Sequence, residues 1–397
     1  MSIARPTVKL LPGGHKRAEQ GYPWLYSNEI QMDRQAKAIA AGTLVRIEAV
    51  SGKPLGVASF NPHALIAARL LDADADRAIE RDFFVARLES ALALRRRLYA
   101  EPFYRLIHAE ADGLPGIVLD RFGDVLVAQL NTAGMSGLEA EFLDACKVTL
   151  APRAIVLRTD SVGHRMEGIA ESAARIVHGA IDGPVTLQEN GAQFFADPLT
   201  GQKTGWFYDQ RENRRFMALL ASGGSVLDLY CYSGGFAVAA ALGGAAAVLA
   251  IDGSEPALAL AVQAAQANGV AERCRFLRGE VFAELERRAA SGERFDVVIA
   301  DPPAFVKSRK DLGAGLRGYR KLARLAASVA APGGLLFIAS CSHNVEVESF
   351  AEAVRRGLAD AGRSGRILLS SGASPDHPVH HFLPESAYLK AQSIALD

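Results

Sequence analysis

A carboxylate at Asp301 and a thiol at Cys341 are the two groups in this 397-residue chain best placed, by type and spacing, to act on a carbon atom. Asp301 closes the apolar run FDVVIA and opens Asp301-Pro302-Pro303; Cys341 closes the apolar run GGLLFIAS within Ala339-Ser340-Cys341-Ser342-His343. Two apolar strands that end in reactive residues should open onto one edge of a shared sheet, so acid and thiol face a common cleft. A pyrimidine needs that pairing before its C5 accepts a methyl group, because C5 becomes nucleophilic only after a thiolate has added at C6. The turn after a strand keeps Cys341 accessible, and the two prolines fix the backbone that aims the carboxylate.

These two strands belong to a longer alternation. From about Val185 onward, strands are read at SVLDLY, AAVLAID, CRFLRG, FDVVIA, GGLLFIAS, RILLS and near YLKAQSIAL, with Ala-rich helical segments between them. Such alternation implies parallel βαβ units with helices on both sheet faces. Upstream, from Arg5 to Leu71, the runs LVRIEAV, PLGVASF and ALIAARLL are broken by Gly and Pro and predict a small β-barrel. The character changes at Asp72, where three Asp precede an apolar-periodic stretch read as a capped helix. Two strands, a helix around Leu138 to Leu150 and two more strands near AIVLRTD and ARIVHG follow, a central β-β-α-β-β domain of α+β type. Domains are thus expected at residues 1–71, 72–185 and 186–397, the last an α/β domain.

Composition sets limits. Lys plus Arg and Asp plus Glu number 44 each, so nucleic-acid binding through net charge is excluded and any such binding must be local. The start MSIARPTVKLLPGG has no long apolar core, and apolar stretches fall short of a bilayer span, which points to a cytoplasmic protein. The four cysteines, at 146, 231, 274 and 341, lie far apart and indicate neither a disulfide framework nor a metal site.

In open α/β sheets, ligands sit beyond the carboxyl ends of the strands. The first such strand ends Leu227-Asp228-Leu229-Tyr230 and runs into Cys231-Tyr232-Ser233-Gly234-Gly235, whose glycines admit a close ligand. The turn is neither GxGxxG nor a phosphate loop with GK[ST], so dinucleotides and nucleoside triphosphates fit less well. Asp252, twenty-four residues after Asp228, could hold both hydroxyls of a ribose or cap the helix that begins near Pro256. Glu280, before Val281, could accept from an adenine amine or stand as a solvated acid.

In that order, turn, ribose acid and adenine acid suit S-adenosylmethionine, and longer runs carry a closer likeness. Glu189-Asn190-Gly191, GQKTGWFYDQRENR, LDLYCYSGGF, DPPAFVKSRKDL, GYRKL, SCSHNV and DHPVHHFLPESAYLK resemble the bacterial 23S ribosomal RNA large-subunit cytosine-5 methyltransferase I family. GYPWLYSNEI is similar to that family's PUA-type RNA-binding domain, and AEADGLPGIVLDRFGD to its central domain. The resemblance implies a C-terminal seven-stranded, Rossmann-like class I methyltransferase using S-adenosylmethionine on 23S ribosomal RNA or a large-subunit precursor. It further implies that Lys203, Phe207, Asp209 and Arg211 pack over the methionine part of the cofactor. Asp228 and the turn Tyr230, Cys231, Ser233 and Gly234 would meet its amino-acid end, Asp252 its ribose, and Glu280 with Val281 its adenine. Relatives commonly carry Asp where Glu280 stands, a departure that bears on the adenine contact.

In the chemistry so implied, Cys341 attacks C6 while Asp301, at the cofactor's edge, binds or protonates N3 of cytosine. A base must then remove the C5 proton, and the sequence does not name it. Cys231 would face the cofactor and reads as packing; Cys274 and Cys146 read as core. Lys307, Arg309, Lys310, Arg317, Arg320, Lys321 and Arg324 stand against one acid, Asp311, directly after the catalytic loop, and suit phosphates near a flipped base. Lys9, His15, Lys16 and Arg17, near Trp24 and Tyr26, form a weaker basic stretch. Two other readings stay open: an N-methyltransferase using Asp-Pro-Pro on an exocyclic amine, and a catalytically silent RNA-binding protein. Whether the chain pairs with itself is left open too.

Overall fold

The computed structural model describes residues 4–159, 164, 167–170 and 172–397; Asp160, in the AIVLRTD run, lies outside them. The chain divides into two compact units: Met1–Val185 with Asp197–Trp206 and Asp376–Ser386, and Thr186–Ala196 with Phe207–Pro375 and Ala387–Asp397. Among the described residues, no helix is long and apolar enough to cross a membrane.

The first unit holds two five-stranded sheets. One is built from Thr7–Lys9, Trp24–Tyr26, Thr43–Glu48, Pro54–Phe60 and Ile66–Asp72, with the first and second of these at its edges. Those edges meet just past the strands through the bridge Leu10–Ile30, flanked by the Leu11 amide to the Glu29 carbonyl (2.8 Å) and the Gln31 amide to the Lys9 carbonyl (2.8 Å). Joining the edges satisfies backbone groups that would otherwise be left open. Val8, Leu25, Val45, Ile47, Phe60 and Ala68 fill the interior.

The other sheet comprises Phe103–His108, Ile117–Phe122, Val125–Leu130, Ala154–Arg158 and Arg175–Gly179 in sequential order. Three strands therefore precede the helix Glu139–Leu150, where two are expected from the sequence; the break at Gly123 (φ 65°) is the hairpin turn between Ile117–Phe122 and Val125–Leu130. A longer helix, Arg81–Leu98, packs beside it through Phe84 against Phe142, rings 5.8 Å apart edge to face. The three Asp expected to cap that helix do something else. Asp72 Oδ1 accepts the Asp74 amide and Asp74 Oδ1 the Asp76 amide, so they form consecutive turns, and the helix starts only after Glu80. Short Asp side chains compete for local amides in this way, which favours turns over a helix start.

The Arg95–Asp112 ion pair in this unit is enclosed. The Arg95 guanidinium, with no exposed surface, binds Asp112 through two hydrogen bonds (3.0 and 2.7 Å) and donates to the Arg105 carbonyl (2.9 Å) and the Asp376 carbonyl (3.1 Å). Asp376 lies 281 residues away in the chain, so this arginine ties the C-terminal segment Asp376–Ser386 into the unit.

The second unit centres on a seven-stranded sheet: β1 (Ser225–Leu229), β2 (Ala247–Asp252), β3 (Cys274–Arg278), β4 (Phe295–Ala300), β5 (Ala330–Ser340), β6 (Gly365–Ser371) and β7 (Lys390–Leu396). Every strand read from the alternating pattern is present. The order is β3-β2-β1-β4-β5-β7-β6, with β1 to β5 parallel and β7 antiparallel to both neighbours. The near-continuous apolar runs of β1 and β4 follow from this, because helices cover both faces of a parallel sheet. The helices are α1 (Arg211–Leu220), α2 (Gly235–Leu242), α3 (Glu255–Ala267), α4 (Val281–Ser291), α5 (Leu312–Val329) and α6 (Val347–Asp360). The strand order reverses between β1 and β4, and a cleft opens beyond the carboxyl ends at such a switch.

Candidate active site

Asp301 and Cys341 leave the sheet on that carboxyl edge. β4 and β5 are parallel neighbours with Ala300 opposite Ile338, so Asp301 follows β4 at the level of Ala339, and Cys341 follows β5 two residues further on. Both are partly exposed. Of the other thiols, Cys146 is buried in the first unit and Cys274 begins β3 at the opposite edge of the sheet. Cys231 shares the edge but is buried, and burial, then Asp228 and Asp252, push its thiol up. Burial likewise raises the Cys274 thiol, to about 11.

The turn after β1 has the backbone of a ligand cradle. Tyr230 and Tyr232 adopt positive φ (62° and 49°), a region that non-glycine residues enter rarely and at a cost. Gly234 follows at φ 81°, and a Cβ there would come within 2.8 Å of the Ala261 Cβ, so only glycine lets α2 start so close to α3. Beneath the turn, both carboxylate oxygens of Asp228 and the hydroxyl of Ser233 are buried without a hydrogen-bond partner. Unpaired buried polar groups are costly, and three at one strand end suit a polar, cationic ligand. Burial, then the nearby Asp301 and Asp252 carboxylates, push the Asp228 carboxyl well above the usual range.

Asp252 ends β2, where it braces the same turn: one oxygen accepts the Tyr232 amide (2.9 Å) and the other the Ser254 amide (2.8 Å). The cap of α3 is Ser254, whose hydroxyl accepts the Ala257 amide, so Asp252 is not the helix cap. Glu280 is a cap. Its two oxygens accept the Phe282 and Ala283 amides (3.1 and 2.7 Å) at the start of α4, and Val281 is buried beneath. The Glu280 carboxylate is thereby held at the strand end by the helix it starts.

The segment before α1 forms the next wall. Phe207 meets the Tyr232 ring edge to face at 5.3 Å, which sets it against the cradle turn. Glu189 grips Arg214 through two hydrogen bonds (2.5 and 2.9 Å), Arg214 donates to the Phe207 carbonyl (2.7 Å), and Asn190 donates to the Arg211 carbonyl (3.1 Å). Asp209 accepts the Tyr388 hydroxyl at 2.6 Å. Lys203, grouped with these residues by sequence, belongs to the first unit, where φ is 50°.

The basic run divides. Lys307, Arg309, Lys310 and Arg317 are exposed, whereas Arg320 is paired with Asp360 (2.6 Å) and Lys321 with Glu286 (2.9 Å). Four residues around the cysteine turn escape a reading of the sequence: Tyr319, Ser340, Ser342 and Lys390, all buried. Tyr319 looks like an apolar-face residue of a helix, and the only cue is an unusual lysine at the start of an apolar strand.

A seven-stranded sheet of this order, with an acid-lined cradle after its first strand, defines an S-adenosylmethionine-dependent methyltransferase. A family model described as S-adenosylmethionine-dependent methyltransferase matches residues 125–357, and a PUA-like domain matches residues 8–73. The structure is similar to a SAM-dependent methyltransferase from Streptococcus mutans (TM-score 0.83, 21% identity, 98% of this chain and 100% of that one). It is also similar to a methyltransferase solved with SAH (TM-score 0.84, 20% identity, 99% and 100%). The ribosomal RNA large subunit methyltransferase I of Shewanella denitrificans is 35% identical over 388 residues, 96% of this chain and 97% of that protein. That of Aeromonas hydrophila is 35% identical over 390 residues, 97% and 98%. The chain belongs to the ribosomal RNA large subunit methyltransferase I family.

Its cofactor is S-adenosylmethionine, which supplies an electrophilic methyl group. The orphaned oxygens of Asp228 and Ser233 fit the ammonium group at the amino-acid end of this cofactor, which predicts a proton linkage. For the free protein the raised Asp228 pKa means that the folded state holds a proton the unfolded state has released. Its contribution to stability is then lost as pH rises from the ordinary carboxylate range through the raised value. If Asp228 ionises against the cofactor, binding releases that proton, and affinity should rise with pH by up to about one decade per unit below the raised pKa. Calorimetry in two buffers of different ionisation enthalpy measures this, and Asp228→Asn should abolish the linkage.

Proposed function

We propose that this protein forms 5-methylcytosine in large-subunit ribosomal RNA, in the cytoplasm, through a covalent bond between Cys341 and C6 of the base. The observation that carries the reading is the pairing at the carboxyl edge: Asp301 and Cys341 end adjacent parallel strands, and the other three thiols are buried or at the opposite edge.

The chemistry closes in four changes. The Cys341 thiolate forms the S–C6 bond, and the electron pair displaced from the C5–C6 double bond flows towards N3, where Asp301 binds or protonates the ring. C5, now enamine-like, takes the methyl group as that group's bond to sulfur breaks and leaves a neutral thioether, and N3 returns to Asp301 any proton it received. A base removes the C5 proton, the C5–C6 double bond re-forms, and the S–C6 bond breaks to free the thiolate. Phe207, Asp209, Arg211, Asp228, the Tyr230–Gly234 turn, Asp252, Glu280 and Val281 hold the cofactor.

RNA containing 5-fluorocytidine tests the reading, since fluorine at C5 blocks the final elimination. A cofactor-dependent adduct mapped to Cys341 is expected. No adduct, together with intact methyl transfer by Cys341→Ala, would instead favour an N-methyltransferase centred on Asp301-Pro302-Pro303.

The exposed cations of the loop and the first half of α5 are assigned to phosphates beside the target base. Replacing Lys307, Arg309, Lys310 and Arg317 with Gln should lower the slope of log affinity against log salt by roughly one for each phosphate left without its cation. Arg320→Gln and Lys321→Gln, whose wild-type cations are already paired, should change it less. Equal slopes for all variants in filter-binding titrations would refute the assignment.

A further inference from the structure

Cys341 stands between two serines, and both reach the same hydroxyl. Ser340 Oγ donates to Tyr319 Oη at 2.8 Å, and Tyr319 Oη lies 2.9 Å from Ser342 Oγ. With Ser340 donating to it, the tyrosine hydroxyl keeps its own proton for Ser342. Two amides complete the group: Ser342 donates to Ser340 Oγ (3.3 Å), and Val306 donates to Ser342 Oγ (3.3 Å). All three hydroxyl-bearing side chains are at most 1% exposed.

Two consequences follow from geometry. Successive side chains of an extended chain point to opposite faces, so drawing Ser340 and Ser342 inward turns the intervening Cys341 outward. The partial exposure of Cys341 between two buried neighbours agrees with that alternation. Secondly, Val306 lies five residues after Asp301, so its amide fastens the acid's loop to the cysteine's turn. Gly315 of α5 makes room for that loop, since a Cβ there would lie 2.2 Å from a Val306 methyl. From β7, Lys390 faces Ser340 and its ammonium donates to the Ser342 and Val345 carbonyls at 2.7 Å each, which holds the turn from a second strand.

We propose that Tyr319 is a positioning residue for the nucleophile: its hydroxyl pulls in Ser340 and Ser342, aims the Cys341 thiol into the cleft and locks it to the Asp301 loop. This rests on Cys341 being the nucleophile, and the test separates the two ideas. Tyr319→Phe keeps the ring and its packing against Phe305 and Phe350 and removes only the hydroxyl.

The variant should lose about tenfold to a hundredfold in kcat, the cost of a misplaced reacting group, with KM for RNA and cofactor affinity within about twofold of wild type. Iodoacetamide labelling of Cys341, followed by peptide mass spectrometry, should slow by at least about threefold. Ser342→Ala should behave alike and be non-additive with Tyr319→Phe, and Ser342→Thr, which restores the hydroxyl, should recover most of the rate. If Tyr319→Phe does not fold, the Ser342→Ala and Ser342→Thr pair decides the matter in the same way. Wild-type kcat and labelling rate in Tyr319→Phe, or in Ser342→Ala, would overturn the proposal. Labelling needs no turnover: slowed labelling with full activity in Cys341→Ala would remove the nucleophile's role and leave the orientation of the thiol standing.

Discussion

Cys341→Ala is expected to lower methyl transfer to RNA by at least about a thousandfold while cofactor affinity stays within about twofold, because a lost nucleophile removes the covalent route and not the binding site. Among the described residues, no other thiol on the carboxyl edge can substitute. Cys231 is buried, and burial with two neighbouring carboxylates keeps its sulfur protonated, hence unreactive. Cys341→Ser should be nearly as inactive, since a hydroxyl in that turn lacks the acidity and softness of a thiol. Quantitative analysis of 5-methylcytosine in RNA, alongside calorimetric cofactor titration, measures both quantities. Activity within tenfold of wild type in Cys341→Ala would sink the covalent mechanism.

Arg95→Met should destabilise the first unit by about 3–5 kcal/mol, because it leaves Asp112 buried without its cation. Asp112 is 5% exposed at its side chain, so water cannot replace the guanidinium. The Arg105 and Asp376 carbonyls also lose their donor, although Asp376 still accepts the Arg105 amide at 3.0 Å. By contrast, Arg153→Met breaks a pair with Asp124 in which both side chains are more than half exposed, and should be nearly neutral. Denaturant melts of the two variants, followed by tyrosine and tryptophan fluorescence, provide the comparison. Equal midpoints would show that the enclosed pair is dispensable.

The seven strands of the catalytic sheet were legible because each is an apolar run flanked by a turn or a helix of opposite period, a local pattern. The strand count of the central sheet was not, since Gly113, Pro115 and Gly123 mark breaks between short runs without deciding which of those runs pair as strands. Asp72, Asp74 and Asp76 show a second limit. Their spacing suits a cap, yet Asp72 and Asp74 each have a nearer amide to bind and Asp76 pairs with Arg46, and propensity cannot rank those alternatives.

For the site, types and order in the sequence determined which residues stand at strand ends: Asp228, Asp252, Glu280, Asp301 and Cys341 each follow or close an apolar run, and a parallel sheet must bring such ends to one edge. Tertiary structure alone decided what each end does there. Glu280 caps α4, Asp252 braces the cradle turn, and Asp228 is left with no partner, because those outcomes depend on which amides the helices deliver. Likewise, Ser340 and Ser342 bracket the thiol in sequence, but Tyr319 and Lys390 reach them from 21 and 48 residues away, and hydrogen bonds across such separations exist only once α5 and β7 have packed.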